Sequence, residues 1–150
     1  MIMLKLRPET IARHWDVLRY AIAMTTVAGF ECTEDYLIKM AAKVISGQVQ
    51  CWACYEEEEE EAMRLGAFIF TSIIKDALTE QKNLLLSGVF VFNMKGIKVW
   101  KQGFERLVIF GRGSGCQNIV FYSNVPDILK IAKAFGASSE FTYGMIAIPK

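Results

Sequence analysis

The sequence predicts an α/β (α+β) chain: a mixed, mostly antiparallel central sheet with helices on both faces, forming one domain over residues 1–150. Three observations predict it. Strand-like apolar runs and amphipathic helical stretches follow one another in the order β-α-α-β-β-β-α-β-α-β. Three strand-like runs in the middle, 50–55, 64–74 and 84–92, are joined by polar connections and so predict an antiparallel meander. Each helical stretch carries one apolar stripe, which must be buried against a sheet face.

Composition sets outer limits. Of 150 residues, 53% are hydrophobic and 12% aromatic, enough for a substantial core. The charged fraction is 22% and the formal net charge +1, so no global field draws nucleic acid or basic partners. No apolar run reaches the ~18 residues of a membrane-spanning helix. Residues 1–7 lack the long apolar segment of a secretory signal. A cytoplasmic protein with neither nucleic acid nor membrane as partner is expected.

Leu4 and Leu6 alternate with charged residues and suggest a short first strand. Pro8, Glu9 and Thr10 open a helix, since proline and acids suit a first turn. Its inward face carries Ile11, Trp15, Leu18 and Ile22, with His14 at the surface or as a cap. Thr33 can N-cap a second helix, with Glu34 and Asp35 in its first turn. Tyr36, Leu37, Met40, Ala41, Val44 and Ile45 form its stripe, and Gly47 is placed to end it.

The meander follows. Residues 56–61 are six consecutive glutamates between its first two runs, predicting a solvated hairpin tip; the functional alternative is an acidic lip for a cationic amine or basic protein. The near-continuous apolar character of 64–74 and 84–92 predicts strands covered on both faces. After 84–92 a tight polar segment leads to a helix with Trp100, Phe104, Leu107 and Val108 on one side. The glycine-rich run 111–115 follows that helix, where the dipole disfavours an anion, so it reads as a C-terminal cap rather than a phosphate cradle. Residues 118–122 read as a strand. Asn124, Pro126 and Asp127 open a final helix with Ile128, Leu129, Ala132 and Phe135 inward and Gly136 as its C′ residue. Residues 141–148 read as the last strand.

The four cysteines are Cys32, Cys51, Cys54 and Cys116. Cys51 and Cys54 have the spacing of a redox or zinc pair. On a strand, an odd separation sends the two sulfurs to opposite faces. Buried structural thiols are the expectation, and Cys116 has nothing nearby in sequence to activate it.

A strand feeding a helix through a glycine-containing turn aims backbone N–H groups and a positive helix end at one spot suited to an anion. The segment Asn93-x-x-Gly96-x-Lys98 stands at such a place. It resembles the Gln/Arg-x-x-Gly-x-Gly/Ala loop of the GCN5-related N-acetyltransferases (GNAT), which binds the pyrophosphate of acetyl-CoA. The stretch from Gly115 to Val120 and the corner at Phe135-Gly136 resemble that family's later elements, and the element order is the family's. The resemblance covers residues 84–148, and the first half in element order. Compact divergent proteins of this kind are frequent in bacteriophage genomes, which would place the chain in a host cytoplasm or a virion.

The resemblance implies an acetyl-CoA-dependent transfer to an amine acceptor, small molecule or protein, in a cleft where the central strands splay. It implies that backbone groups of Val89, Phe90, Val91 and Phe92 pair with the pantetheine arm of acetyl-CoA. Asn93, Lys95, Gly96 and Lys98 would face the pyrophosphate, and Asn124 would contact the cofactor. The stretch 19–26 would border the acceptor. Exposed strand edges in this fold often pair between subunits, which leaves a homodimer open, although the sequence does not fix the oligomeric state. The chain departs from the family at two points. Lys98 replaces the last small residue of the loop, and Ala132 stands where a tyrosine commonly acts as the acid. Tyr122 and Tyr143 are the substitutes available, and neither neighbouring strand supplies a carboxylate base. The alternative is therefore a GNAT fold that has lost catalysis and serves a binding or structural role.

Overall fold

The computed structural model describes residues 1–26, 30–57, 63–92, 97–123, 126–138 and 148, with the description of 57 and 97–99 confined to the backbone. The elements are β1 (Ile2–Lys5), α1 (Pro8–Arg13), α2 (Trp15–Met24), α3 (Glu34–Ile45), β2 (Val49–Glu57), β3 (Met63–Lys75), β4 (Lys82–Val91), α4 (Ile97–Gly113), β5 (Asn118–Phe121) and α5 (Pro126–Ala134). The expected order holds through the final helix. The last strand falls outside the described residues, apart from Ile148.

The sheet runs β1-β2-β3-β4-β5 in space. The first four strands pair antiparallel, and β5 returns parallel to β4 after the α4 crossover. Strand alternation divides β2 between two cores. Cys51 and Ala53 join Phe68, Phe70 and the buried faces of α1, α2 and α3, including Ile11, Leu18, Ile22 and Val44. Trp52 and Cys54 join Met3, Ala67, Ile69, Leu84 and Leu107 beneath α4. The two thiols therefore face opposite sides of the sheet and cannot meet. Burial pushes each up to about 12, so both stay protonated at neutral pH.

One polar chain is sealed into the α4 side. Trp52 Nε1 donates to Thr71 Oγ1 at 2.9 Å, Thr71 Oγ1 donates to Gln50 Oε1 at 3.0 Å, and Gln50 Nε2 donates to the Gly47 carbonyl at 2.8 Å. The Trp52, Thr71 and Gln50 side chains are all buried and bonded, which is what makes hydroxyl and amide groups tolerable there.

Several local signals act as the sequence predicts. Thr33 Oγ1 accepts from the Tyr36 N–H at 3.2 Å and caps α3. Gly115 and Gly136 take left-handed φ values of 75° and 84°. In each case the glycine N–H bonds the carbonyl three residues back, and the next N–H bonds five back. That pattern is the Schellman stop, and it confirms the run 111–115 as a helix end.

Three expectations are corrected. The first helix is two helices: His14 leaves helical geometry at φ −109°, ψ 22°, and α2 restarts on it. Ile11, Leu18 and Ile22 still share one core, because the break changes direction without rotating the stripe away. Leu129 is exposed, since α5 packs along the line of Ile128, Ala132 and Phe135; Phe135 stacks on Phe104 of α4 at 4.9 Å. And β4 is covered far less than β3: only Leu84 is fully buried. The reason lies in how β4 leaves β5.

Candidate functional site

β5 pairs with β4 only from Asn83↔Asn118 to Leu86↔Phe121. The closed end of this pairing is fastened twice. Gln117 N–H donates to the Lys82 carbonyl at 2.8 Å, and Asn118 Nδ2 donates to Asn83 Oδ1 at 2.9 Å. Beyond Leu86, β4 continues to Val91 with no described strand on that side.

The departure coincides with a bulge. Phe70 faces Gly88 and Thr71 faces Leu86, so Ser87 has no partner in β3. An extra residue bends a strand and inverts its alternation. Leu84 and Leu86 pack beneath α4, as does Val89 beyond the bulge, whereas Phe90 turns to the opposite core. Phe92 N–H donates to the Gly66 carbonyl at 2.8 Å, so Phe92 and, by alternation, Phe90 direct their backbone groups at β3. Val89 and Val91 then direct theirs into the gap.

Gly88 is where α2 comes down on this bulge. A Cβ on Gly88 would lie 3.0 Å from both Cβ and Oγ1 of Thr25. On the helical side of the bulge a cleft of about 260 Å³ opens, lined by Ile22, Thr25, Thr26, Tyr36, Met40 and Phe70 among others. On the other side a narrower groove of about 40 Å³ runs past Val89, Phe121, Ser123 and Ile128. Ser87, Gly88 and Tyr122 border both, so the two spaces meet at the bulge.

The hydroxyls around the cleft are already oriented. Thr25 Oγ1 and Thr26 Oγ1 both donate to the Ile22 carbonyl, at 3.1 and 3.0 Å, which leaves their lone pairs as acceptors. Burial, with Cys32 nearby, raises the Tyr36 phenol above its ordinary range and keeps it protonated. Tyr122 follows the last residue of β5 and is 62% exposed at the edge of both spaces.

Of the sequence-predicted residues, the structure brings Val89 and Tyr122 together on one groove, and Val91 lies two residues further along β4. Phe90 and Phe92 flank the same strand end, with their rings 4.9 Å apart and Tyr20 5.6 Å from Phe90. Lys98 lies in the first turn of α4. Asn93, Lys95, Gly96, Asn124 and Tyr143 lie outside the described residues, as do glutamates 58–61. Thr25 and Thr26 line the cleft, within the stretch expected to border an acceptor. Ser87, Gly88 and Tyr36 were not foreseen as site residues. A Ser-Gly pair inside an otherwise apolar strand was the available signal, because a lone glycine in a strand marks a bulge or a close approach.

No family model and no curated protein matches the chain. Solved structures match along its whole length. AAC(6')-Iy in complex with the bisubstrate analog CoA-S-monomethyl-acetylneamine superposes with a TM-score of 0.70 at 14% identity, over 99% of this chain and 98% of that one. Glucosamine-6-phosphate N-acetyltransferase from Arabidopsis thaliana gives 0.63 at 18% identity, over 99% and 98%. Ribosomal-protein-alanine N-acetyltransferase from Brucella melitensis biovar Abortus 2308 gives 0.67 at 10% identity, over 99% and 100%. At these identities the likeness is one of fold, and the fold is that of the GCN5-related N-acetyltransferases.

Proposed function

We propose that this chain, built on that fold, is an acetyl-CoA-dependent N-acetyltransferase that acts on an amine acceptor by direct transfer in the gap between β4 and β5. The observation that carries the reading is the edge of β4 beyond its bulge, which no described strand pairs. The pantetheine arm of acetyl-CoA is an extended chain with two amides. Such a chain adds to a strand edge through main-chain hydrogen bonds. Val89 and Val91 present N–H and C=O groups at that edge, so the residues present fit the arm. The N-terminal turn of α4 follows the same strand end in the chain, and the N–H groups of a helix's first turn favour a pyrophosphate. Lys98 adds a positive charge to that turn.

The chemistry asked of the protein is modest. The acceptor nitrogen attacks the thioester carbonyl, an N–C bond forms and the C–S bond breaks. An outward N–H of β4 stabilises the developing oxyanion. Tyr122 gives its hydroxyl proton to the departing sulfur and regains one from solvent, while water takes the proton from the nitrogen. Catalysis then rests mainly on holding amine and thioester together.

A second reading has its own support. Lys98 stands where the family carries a small residue, and Ala132 where it carries tyrosine. A scaffold that has lost catalysis would show such changes. Incubation with acetyl-CoA and a mixed amine panel separates the two. Release of free CoA thiol together with an amine heavier by one acetyl group supports the enzyme. Absence of both with every amine would leave the scaffold reading.

A further inference from the structure

We infer that the acceptor is a small primary amine on an uncharged, apolar body, and that Thr25 and Thr26 receive its N–H groups. This rests on the acetyltransferase reading and goes further by naming the substrate class.

The cleft on the helical side is where an acceptor would reach the bulge. Ile22, Met40, Phe70 and Leu85 give it an apolar wall, and none of the described lining residues carries a charge. Two ion pairs of the neighbouring helices lie at the surface: Arg19 with Glu34 at 2.8 Å and Lys39 with Asp35 at 2.6 Å. A polycation or a sugar phosphate would set desolvated charge against aliphatic groups, at a cost of several kcal/mol. An apolar body loses water favourably at the same wall. The volume of about 260 Å³ lies just below the ~300–1,000 Å³ range of small-molecule sites. It suits a body about as large as one aromatic ring with a short tether.

The threonines supply the polar end. Both hydroxyl protons are committed to the Ile22 carbonyl, so each oxygen can only accept. Two acceptors side by side recognise a group with two donors, and a primary amine is one once its ammonium proton has been released to water on entry into the apolar cleft. Thr25 also sits directly against the position of a Gly88 side chain, so an amine held there lies beside the β4 edge that no described strand pairs. Its lone pair is left for the thioester.

Phenethylamine and spermidine are suitable probes, each titrated with and without CoA by ligand-observed NMR. Phenethylamine is expected to bind and spermidine not to. The variant Thr25→Val with Thr26→Val keeps the shape of both side chains and removes both acceptors. It is expected to raise the phenethylamine dissociation constant roughly tenfold. Tighter binding of spermidine, binding of neither probe, or unchanged phenethylamine affinity in a folded double variant would each overturn the inference. The acetyltransferase reading fails differently: phenethylamine binds, acetyl-CoA does not, and no acetylated amine forms.

Discussion

Gly88 and Thr25 are held so close that a methyl group on Gly88 would stand 3.0 Å from two atoms of the Thr25 side chain. The contact seats the end of α2 on the bulge of β4 and couples the helical cleft to the open strand edge. A larger side chain at 88 must push that helix end away. Gly88→Val is expected to destabilise by about 1–3 kcal/mol, as overpacking does. A thermal melt should show a midpoint lower by several degrees, and an unchanged midpoint would remove the contact from the account.

In the proposed reaction Tyr122 returns a proton to sulfur. Tyr122→Phe keeps the ring and removes the hydroxyl. Its kcat is expected to fall on the order of 10²-fold, within the usual contribution of a general acid. Acetyl-CoA affinity, measured by calorimetry, should stay within a factor of about two, because the strand edge is untouched. A variant with full kcat would assign the proton elsewhere.

The buried chain from Trp52 through Thr71 to Gln50 predicts a stability effect with no functional counterpart. Thr71→Val deletes the shared hydroxyl and leaves an indole N–H and an amide oxygen without partners. A loss of about 1–3 kcal/mol is expected in urea denaturation. Ser72→Ala, one residue away, is a control: its hydroxyl lies in an exposed pair with Ser87, and little change is expected.

Cys51 and Cys54 are expected to resist thiol reagents in the folded protein at pH 8 and to react on unfolding. Their folded pKa is raised from 9.0 to about 12, so protonation favours the fold. That contribution is fully present below pH 9 and is lost as pH rises from about 9 towards 12. Melting temperature should therefore fall across that window. Rapid labelling of either thiol without unfolding would contradict their burial.

Much of the fold could be read from local rules. Alternating side chains put Cys51 and Cys54 on opposite faces once β2 was a strand. Thr33, Gly115 and Gly136 mark helix ends by chemistry that is local to each turn. The site was less legible, because its shape comes from where elements meet. Ser87 is extra only in relation to β3, and Gly88 is required only because Thr25 approaches it from a helix some sixty residues earlier in the chain. The continuous apolar run 84–92 predicted a fully covered strand. Its second half is half-buried instead, since β5 ends at Phe121 and the phase of the strand changes at the bulge. The break at His14 carries no proline or glycine to announce it. Thr25 and Thr26 lay in a stretch assigned to the acceptor side by resemblance, but their orientation depends on bonds to the Ile22 carbonyl.

The most direct test of the open β4 edge as an acetyl-CoA site is a pair of thermal melts with and without millimolar acetyl-CoA, on the wild type and on Val89→Pro. Proline at 89 removes an N–H that points into the gap and spares the bonds to β3. For the wild type, a ligand at 100 times its dissociation constant adds about 2.7 kcal/mol. The midpoint should rise by several degrees, and Val89→Pro, folded on its own, should lose most of that rise. A wild type that melts at the same temperature with and without acetyl-CoA would contradict the account.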